Sequence, residues 1–281
     1  MITDLFYNKG FTIKISNIDR VDYNLIKEKY EKYGIVLFKN FDINPKKLMS
    51  FTNKFTQIYA NDASRRDILF NQSKIKSVDI GNHEIPLHSE SSFTNLTPEV
   101  IWFYNYDNKF INTPTTICDG IKVWEQLSFK TKKKFLAEPI IFDVNINLPF
   151  KRNAKSKEWY LDSIGVSNCK INYKFGKIKY KIQKFAVNHD RKSNKLAFCN
   201  HLLSVKDEDQ IIDCYFASGK KISKDVWKEI NYVTEKLTYN HYWRNKQLFM
   251  INNQRFLHGR RQNILDVKRK ILNIQTLISN F

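Results

Sequence analysis

Two of the six histidines and one glutamate are of types that could together bind a metal ion. His88 and Glu90 form an H-x-E pair. Residues i and i+2 of an extended segment point to the same face, so both side chains could reach one ion. His258 follows a strand-like segment at residues 247–252 and precedes a glycine and an arginine. Two histidines and one carboxylate make the facial triad that binds non-haem Fe(II) in oxygenases, with coordination positions left open.

The H-x-E pair carries little information by itself. Acidic residues are roughly a tenth of the chain, so six histidines predict about half a match by chance. The pair becomes more informative in combination with the downstream His258 and the arginine that follows it, Arg260. His83 is a candidate loop or supporting residue, and His241 lies in an aromatic run. His189 and His201 are expected at surface positions.

The elements that must position these residues are mostly short strands. Strand-like runs occur at residues 35–38, 100–106, 115–118, 140–146 and 247–252. Helical periodicity predicts helices at residues 21–33, ended by Gly34, from Asn44 to about Ile58, at 123–136 and at 224–237. Many short strands with peripheral helices predict a mainly β fold of the α+β class, with a β-rich barrel or jelly-roll core.

No internal repeat and no Gly/Ser or Pro linker divides the chain, so residues 1–281 are predicted to form a single domain. Residues 150–195 differ from the rest in being basic, aromatic and poor in acids. One interpretation is an edge hairpin whose lysines discourage pairing with other strands. The other is a basic lid or insert that binds a polyanion.

Composition excludes several classes of protein. Hydrophobic residues make up 42% of the 281 residues and aromatic residues 14%, which is too much for a disordered basic tail. No apolar run reaches the roughly 18 residues needed to span a bilayer, and the first residues do not resemble a signal peptide. We therefore expect a cytoplasmic protein with no membrane partner. The four cysteines form no C-x-x-C pair, so reduced structural thiols are expected.

The net charge of +19 invites a nucleic-acid interpretation, because clustered Lys and Arg gain affinity by releasing phosphate counterions. The lysines are, however, spread along the chain among abundant Asn, Ile, Phe and Tyr, the residues that an AT-rich genome supplies. Background composition is therefore favoured over a nucleic-acid partner. A basic nucleic-acid-binding protein without catalysis stays the alternative from another class, together with a non-catalytic jelly roll used for protein interaction.

Taken together, the segments resemble the superfamily of Fe(II)/2-oxoglutarate-dependent dioxygenases that includes taurine dioxygenase and clavaminate synthase. The resemblance runs through most of the chain. The segments that carry it are residues 34–41 (GIVLFKNF), 86–93 (PLHSESSF), 98–104 (PEVIWFY), 113–120 (TPTTICDG) and 243–260 (WRNKQLFMINNQRFLHGR). The glutamate in H-x-E is similar to the clavaminate synthase and amino-acid hydroxylase branch. The resemblance implies a double-stranded β-helix, the jelly-roll or cupin-like core.

The resemblance also implies a set of site residues. His88, Glu90 and His258 would bind Fe(II). Arg269, eleven residues beyond His258, falls where the superfamily places the arginine that pairs with the distal carboxylate of 2-oxoglutarate. Thr116 falls near the superfamily's cosubstrate-binding threonine, although the usual Gly-Gly-x-Thr is Thr-Pro-Thr-Thr here.

The resemblance implies that the protein is an oxygenase with O₂ and 2-oxoglutarate as cosubstrates, which releases succinate and CO₂. Hydroxylation of a C–H bond in a small amino-acid-like metabolite is the implied reaction, and desaturation or cyclisation in specialised metabolism is the alternative. A sulfonate substrate is disfavoured, because Asn273 stands where taurine dioxygenase carries a second arginine. The candidate pocket residues, whose other interpretation is ordinary core packing, are Ser92, Phe93, Trp102 and Tyr104.

Overall fold

The computed structural model describes residues 11–14, 20–60, 74–78, 81–106, 113–147, 165, 177–205, 211–263 and 270–281. The strands in these ranges are, in chain order, β1 (Thr12–Lys14), β2 (Ile35–Lys39), β3 (Thr56–Tyr59), β4 (Lys76–Ser77), β5 (Ile85–His88), β6 (Val100–Asn105), β7 (Thr115–Asp119), β8 (Ile140–Asn147), β9 (Lys177–Lys184), β10 (Val187–Asp190), β11 (Lys195–Phe198), β12 (Ile211–Phe216), β13 (Tyr239–His241), β14 (Leu248–Asn252), β15 (Phe256–Arg260) and β16 (Ile271–Ser279). The helices are α1 (Tyr23–Tyr33), α2 (Pro45–Asn53), α3 (Gly120–Gln126), α4 (Phe129–Ala137) and α5 (Lys224–Leu237).

Two sheets form the centre of the fold. The larger has the order β1-β2-β14-β6-β16-β3, with β4 also paired to β16, and the smaller has the order β13-β7-β15-β5. Apolar side chains of both sheets meet in one cluster that includes Ile101 and Phe249 from the larger sheet and Ile117 and Phe256 from the smaller. The predicted jelly-roll class with peripheral helices is thereby confirmed.

Helices α1 and α2 cover the outer face of the larger sheet. Asp22 caps α1 by accepting hydrogen bonds from the backbone N–H groups of residues 24 and 25, and Gly34 ends it with φ of +70°. Asn44 caps α2, and the proline that follows occupies the first turn. Aromatic side chains of α2 and the sheet pack edge to face, as Phe51 does against Trp102 with ring centroids 6.1 Å apart.

A second apolar cluster lies on the other side of the smaller sheet. It joins residues of α3, α4 and α5 to the three-stranded sheet β12-β8-β9, with Phe135, Phe142 and Ile230 fully buried. This cluster holds the helices against the sheet that carries both candidate metal-binding histidines. Among the described residues, no helix is long and apolar enough to cross a membrane.

Two helix predictions differ from the structure. The helix from Asn44 ends at Asn53 rather than near Ile58, because residues 56–59 pair with β16 and leave Ile58 46% exposed. The helix predicted at 123–136 is two helices, because Ser128 caps a new one while Leu127 adopts an extended conformation. Tertiary pairing and a local cap each override an apolar periodicity that continues through the break.

The predicted insert at 150–195 is described only in part. Residues 150–164 and 166–176 lie outside the described residues. Strand β9 pairs with β8, and β10 and β11 form an antiparallel pair. The side chains of Lys179 and Lys181 are exposed on β9, which otherwise contributes Tyr180 and Ile182 to the core. The described part of the insert is therefore integral to the fold.

Candidate metal centre

The three side chains predicted to bind the metal lie together in the structure. One ligand atom from each of His88, Glu90 and His258 lies within 4.8 Å of the other two. Oε2 of Glu90 is 3.9 Å from Nε2 of His88 and 3.6 Å from Nε2 of His258. All three residues are buried, between 3% and 9% exposed. Two imidazoles and one carboxylate therefore share one enclosed site.

Strand pairing explains why residues 170 positions apart meet. His258 on β15 is the direct antiparallel partner of His88 on β5, so both side chains leave the same face of the smaller sheet. Their ring centroids are 4.6 Å apart. Gly259 permits this pairing, because a Cβ atom there would lie 2.4 Å from the carbonyl oxygen of Ile85 and 2.9 Å from that of Pro86.

A backbone contact sets the tautomer of His88. Its Nδ1 lies 2.9 Å from the carbonyl oxygen of Pro86. A carbonyl oxygen can only accept, so Nδ1 carries a proton, and Nε2, which lies 3.9 Å from Oε2 of Glu90, is the nitrogen left to bind a metal. Metal-binding histidines characteristically have their second nitrogen fixed in this way.

Glu90 reaches the site from a turn rather than from a strand. Strand β5 ends at His88, and the amide of Ser92 donates to the carbonyl of Ser89 as the chain turns. Ser91 has a φ of +54°, a left-handed conformation that extended backbone does not adopt. The side chains of His88 and Glu90 thus reach the same site, although only His88 belongs to a strand.

The donor set fits a divalent metal of the iron group. Imidazole nitrogens and one carboxylate are the ligands of facial-triad Fe(II) sites. Ligand atoms at adjacent corners of an octahedron with bonds of about 2.1 Å lie about 3 Å apart. The separations of 3.6 and 3.9 Å need to close by less than about 1 Å.

His201 lies beside the triad, and not at the surface position expected from the sequence. It is 2% exposed, and its Nδ1 donates to the carbonyl oxygen of Ser89 at 3.1 Å. Its ring centroid is 5.1 Å from that of His88 and 4.7 Å from that of Phe93. Cys199, Leu202 and Leu203 flank His201 in the sequence, an apolar context that indicates burial and that the sequence-based expectation passed over.

The candidate pocket residues divide into two groups. Ser92 and Phe93 follow the metal segment directly, and Ser92 Oγ donates to the carbonyl of Ser89 at 2.9 Å. Trp102 and Tyr104 lie on the face of β6 that packs under α1 and α2, which is the face turned away from His258. Between them, Phe103 points into the space between the sheets, with its ring centroid 5.2 Å from that of His258. The alternation of a strand therefore brings Phe103, which sequence reasoning passed over, to the triad.

The two predicted cosubstrate residues are not brought to the triad by the described structure. Arg269 lies outside the described residues. Thr116 pairs with Gly259, whereas His258 pairs with Ile117, so the side chain of Thr116 leaves the opposite face of the sheet from that of His258. Thr115 lies on the same face as His258, and its hydroxyl accepts a hydrogen bond of 2.7 Å from the indole of Trp243.

A buried ion pair lies at the turn that leads into β15. Arg255 donates to both carboxylate oxygens of Asp119, at 3.0 and 2.7 Å, and both residues are less than 8% exposed. Asp190 lies 4.0 Å away on the other side of the guanidinium. Burial lowers the pKa of Arg255, but the hydrogen bonds that it donates to Asp119 outweigh burial and leave that pKa above its usual value. The sequence held no signal for this pair beyond two charges in apolar surroundings.

The cysteines within the described residues are buried thiols. Burial raises the pKa of Cys118 and of Cys199 far above its usual value, so neither is a nucleophile at neutral pH. Cys214 is also a buried thiol. The fourth, Cys169, lies outside the described residues.

Comparison with known structures reveals the same fold in several proteins, oxygenases among them. The structure of AAD-2 in complex with Mn(II) and N-oxalylglycine matches with a TM-score of 0.63 and 14% identity, over 97% of this chain and 94% of that one. A taurine dioxygenase from Burkholderia xenovorans matches with a TM-score of 0.64 and 10% identity, over 95% and 85%. PvcB from Pseudomonas aeruginosa matches with a TM-score of 0.61 and 11% identity, over 94% and 84%.

No curated protein sequence matches the chain significantly. The family profile described as "Taurine catabolism dioxygenase TauD, TfdA family" matches residues 2–274. Enzymes of that family use Fe(II), 2-oxoglutarate and O₂. Since the match covers nearly the whole chain, this protein belongs to the TauD, TfdA family of Fe(II)- and 2-oxoglutarate-dependent dioxygenases.

Proposed function

We propose that this dioxygenase hydroxylates a C–H bond of a small amino-acid-like metabolite, with iron held by His88, Glu90 and His258. The convergence of these three side chains in one buried site is the observation that carries the proposal. Bound iron would supply the redox chemistry, in which one oxygen atom of O₂ enters succinate and the other enters the substrate as a hydroxyl group, with release of CO₂.

The protein's own residues contribute geometry and exclusion of water. The Pro86 carbonyl accepts the hydrogen bond of His88 Nδ1 and so orients the ring with Nε2 as the metal-binding nitrogen. Phe103 packs its ring against His258, and Phe93 packs against His201 beside the triad. Aromatic walls restrict water near the reacting centre and favour an apolar C–H group over a strongly hydrated one. We further propose that Arg269 binds the distal carboxylate of 2-oxoglutarate.

Two features support a small substrate of the amino-acid type. The three ligands are at most 9% exposed, which suits a small metabolite better than a polymer. The metal carboxylate is a glutamate, as in the amino-acid hydroxylase branch that the sequence resembles. Asn273 is buried, and its amide donates to the carbonyl of Trp102 at 3.3 Å, so this position offers no cation to a sulfonate.

The test measures succinate release by purified protein with Fe(II) and 2-oxoglutarate, across a panel of free amino acids. At least one amino acid should stimulate release and gain 16 mass units. The triad variants His88→Ala and His258→Ala should fall to the background rate. His189→Ala is the matched control, because His189 is an exposed histidine on β10 and should keep full activity.

The outcomes separate the parts of the proposal. Stimulation by a compound of another class would overturn the substrate assignment alone. A product two mass units lighter than the substrate would show that the reaction is desaturation or cyclisation and not hydroxylation. Undiminished turnover in the triad variants would overturn the metal assignment.

A further inference from the structure

Asn253, in the turn between β14 and β15, makes direct contact with the backbone of Glu90. Its Oδ1 accepts from the Glu90 N–H at 2.8 Å, and its Nδ2 donates to the Glu90 carbonyl at 3.0 Å. The same Nδ2 donates to the carbonyl of Pro98 at 2.8 Å. Asn253 is fully buried. One side-chain amide thus holds both polar backbone groups of Glu90.

The backbone of Asn253 is tied to the same segment. Its carbonyl accepts from Ser89 Oγ at 2.8 Å and from Cys199 Sγ at 3.2 Å. Its N–H donates to the carbonyl of Glu99 at 2.9 Å. The residues on both sides of the turn that carries Glu90 are therefore anchored to this one position.

Glu90 depends on this anchor more than the two histidines do. His88 and His258 pair directly in the β5–β15 ladder, whereas the described pairing of β5 stops at His88. Asn253 is also five residues before His258 on the chain that enters β15. It therefore joins the turn that bears the carboxylate to the strand that bears the distal histidine.

We propose that Asn253 is a positioning residue that fixes the Glu90 carboxylate relative to His258, and that it sets the affinity of the site for its metal. This inference rests on the metal site of the proposed function. Outer residues that orient metal ligands are generally worth about 10- to 100-fold in metal affinity.

The chemistry of the contact requires a primary amide. One acceptor and two donors are needed in one plane, which an asparagine supplies. Asn253→Ala would leave the Glu90 N–H and the carbonyls of Glu90 and Pro98 without these bonds. Asn253→Asp keeps an acceptor for the Glu90 N–H but loses both donors and sets a carboxylate against two carbonyl oxygens.

The experiment measures the Mn(II) dissociation constant by calorimetry for the wild type, Asn253→Ala and Asn253→Asp. Both variants should bind Mn(II) about 10- to 100-fold more weakly than the wild type. The Co(II) absorption spectrum at saturating metal should also change, because the carboxylate takes a new orientation. Thermal melting of the metal-free proteins, recorded in parallel, reports folding separately.

Asn105→Ala is the matched control. Asn105 on β6 is also fully buried, and its amide donates to a backbone carbonyl, that of Arg244, at 2.9 Å. This variant should melt at a lower temperature yet keep the Mn(II) affinity and the Co(II) spectrum of the wild type.

Failure of the inference and failure of the proposed function give different results. A wild type that binds no Mn(II) overturns the metal site itself. A wild type that binds Mn(II), with an equal affinity in a folded Asn253 variant, overturns the role of Asn253. If Asn253→Ala does not fold, the near-isosteric Asn253→Asp decides. Equal weakening by Asn105→Ala would reduce the effect to general loss of stability and likewise overturn the inference.

Discussion

Arg255 and Asp119 form a two-point ion pair inside the protein, between the turn that enters β15 and the residue that caps α3. The contact joins the strand that carries His258 to the end of its neighbour β7. A buried pair of this kind is costly to break, because removal of one partner leaves the other charge in a poorly solvated place.

Arg255→Met should therefore lower the free energy of unfolding by about 3–5 kcal/mol, because Asp119 loses its bidentate partner. Urea denaturation followed by circular dichroism measures this. The control is Lys122→Ala, which removes an exposed pair with Glu125 and should cost less than about 1 kcal/mol. Equal effects of the two changes would show that the buried pair stabilises the protein no more than an exposed pair does.

Gly259→Ala should weaken metal binding as well as stability. The added methyl group would lie 2.4 Å from the carbonyl oxygen of Ile85, so β5 and β15 must separate where His88 and His258 pair. Metal titration and thermal melting are measured together. Gly219→Ala is the comparison, because a Cβ there meets no atom within 4 Å although its φ is +83°. It should cost about 1–2 kcal/mol through backbone strain alone and leave metal affinity unchanged.

The lowered pKa of the buried His241 predicts that the protein loses stability in acid. Burial lowers the pKa of His241 to about 4, although the hydrogen bond that its Nε2 donates to Oε1 of Gln247 acts in the opposite direction. The unfolded chain binds this proton near pH 6.5 and the folded protein does not, so stability is full above that pH and falls as pH drops toward 4. The loss reaches up to about 3 kcal/mol. His241→Phe should flatten the pH dependence between 6.5 and 4 by that amount, and an unchanged slope would contradict the prediction.

Trp102→Phe should affect stability but not catalysis. The indole donates to Thr276 Oγ1 at 3.0 Å on the face of β6 that packs under α2. Loss of that bond leaves the buried hydroxyl of Thr276 without its indole donor, which should lower the free energy of unfolding by about 1–3 kcal/mol. The KM for 2-oxoglutarate and for the substrate should stay at wild-type values, whereas Phe103→Ala, beside His258, should change kcat. An altered KM in Trp102→Phe would contradict this and show that Trp102 contributes to the substrate pocket.

Much of the fold followed from local patterns. The helix at 224–237 and the strand-like runs at 35–38, 100–106 and 140–146 appear within a residue or two of their predicted limits. Their signals are strong apolar periodicity or β-branched and aromatic runs. The enzyme class and its cofactors were likewise implied by sequence resemblance, and the family match confirms them.

The rest depended on contacts distant in sequence. The face that each residue of β6 presents is decided by the pairing of β6 with β14 and β16, which no single-strand pattern reveals for a strand buried on both sides. Asn253 looks like an ordinary polar turn residue until the chain folds around Glu90. The binding roles of the triad and of Arg269 stay predictions.

The position of Glu90 in a turn has a consequence for the order in which the site comes apart. Two of the proposed ligands, His88 and His258, are held by the cooperative ladder of a sheet, and the third, Glu90, by the side chain of a distant residue. Local opening of a protein starts where the fewest shared backbone bonds must break. The amide hydrogen of Glu90 should therefore exchange with solvent before that of His258, and the metal-free protein should lose its carboxylate ligand while the sheet is still intact.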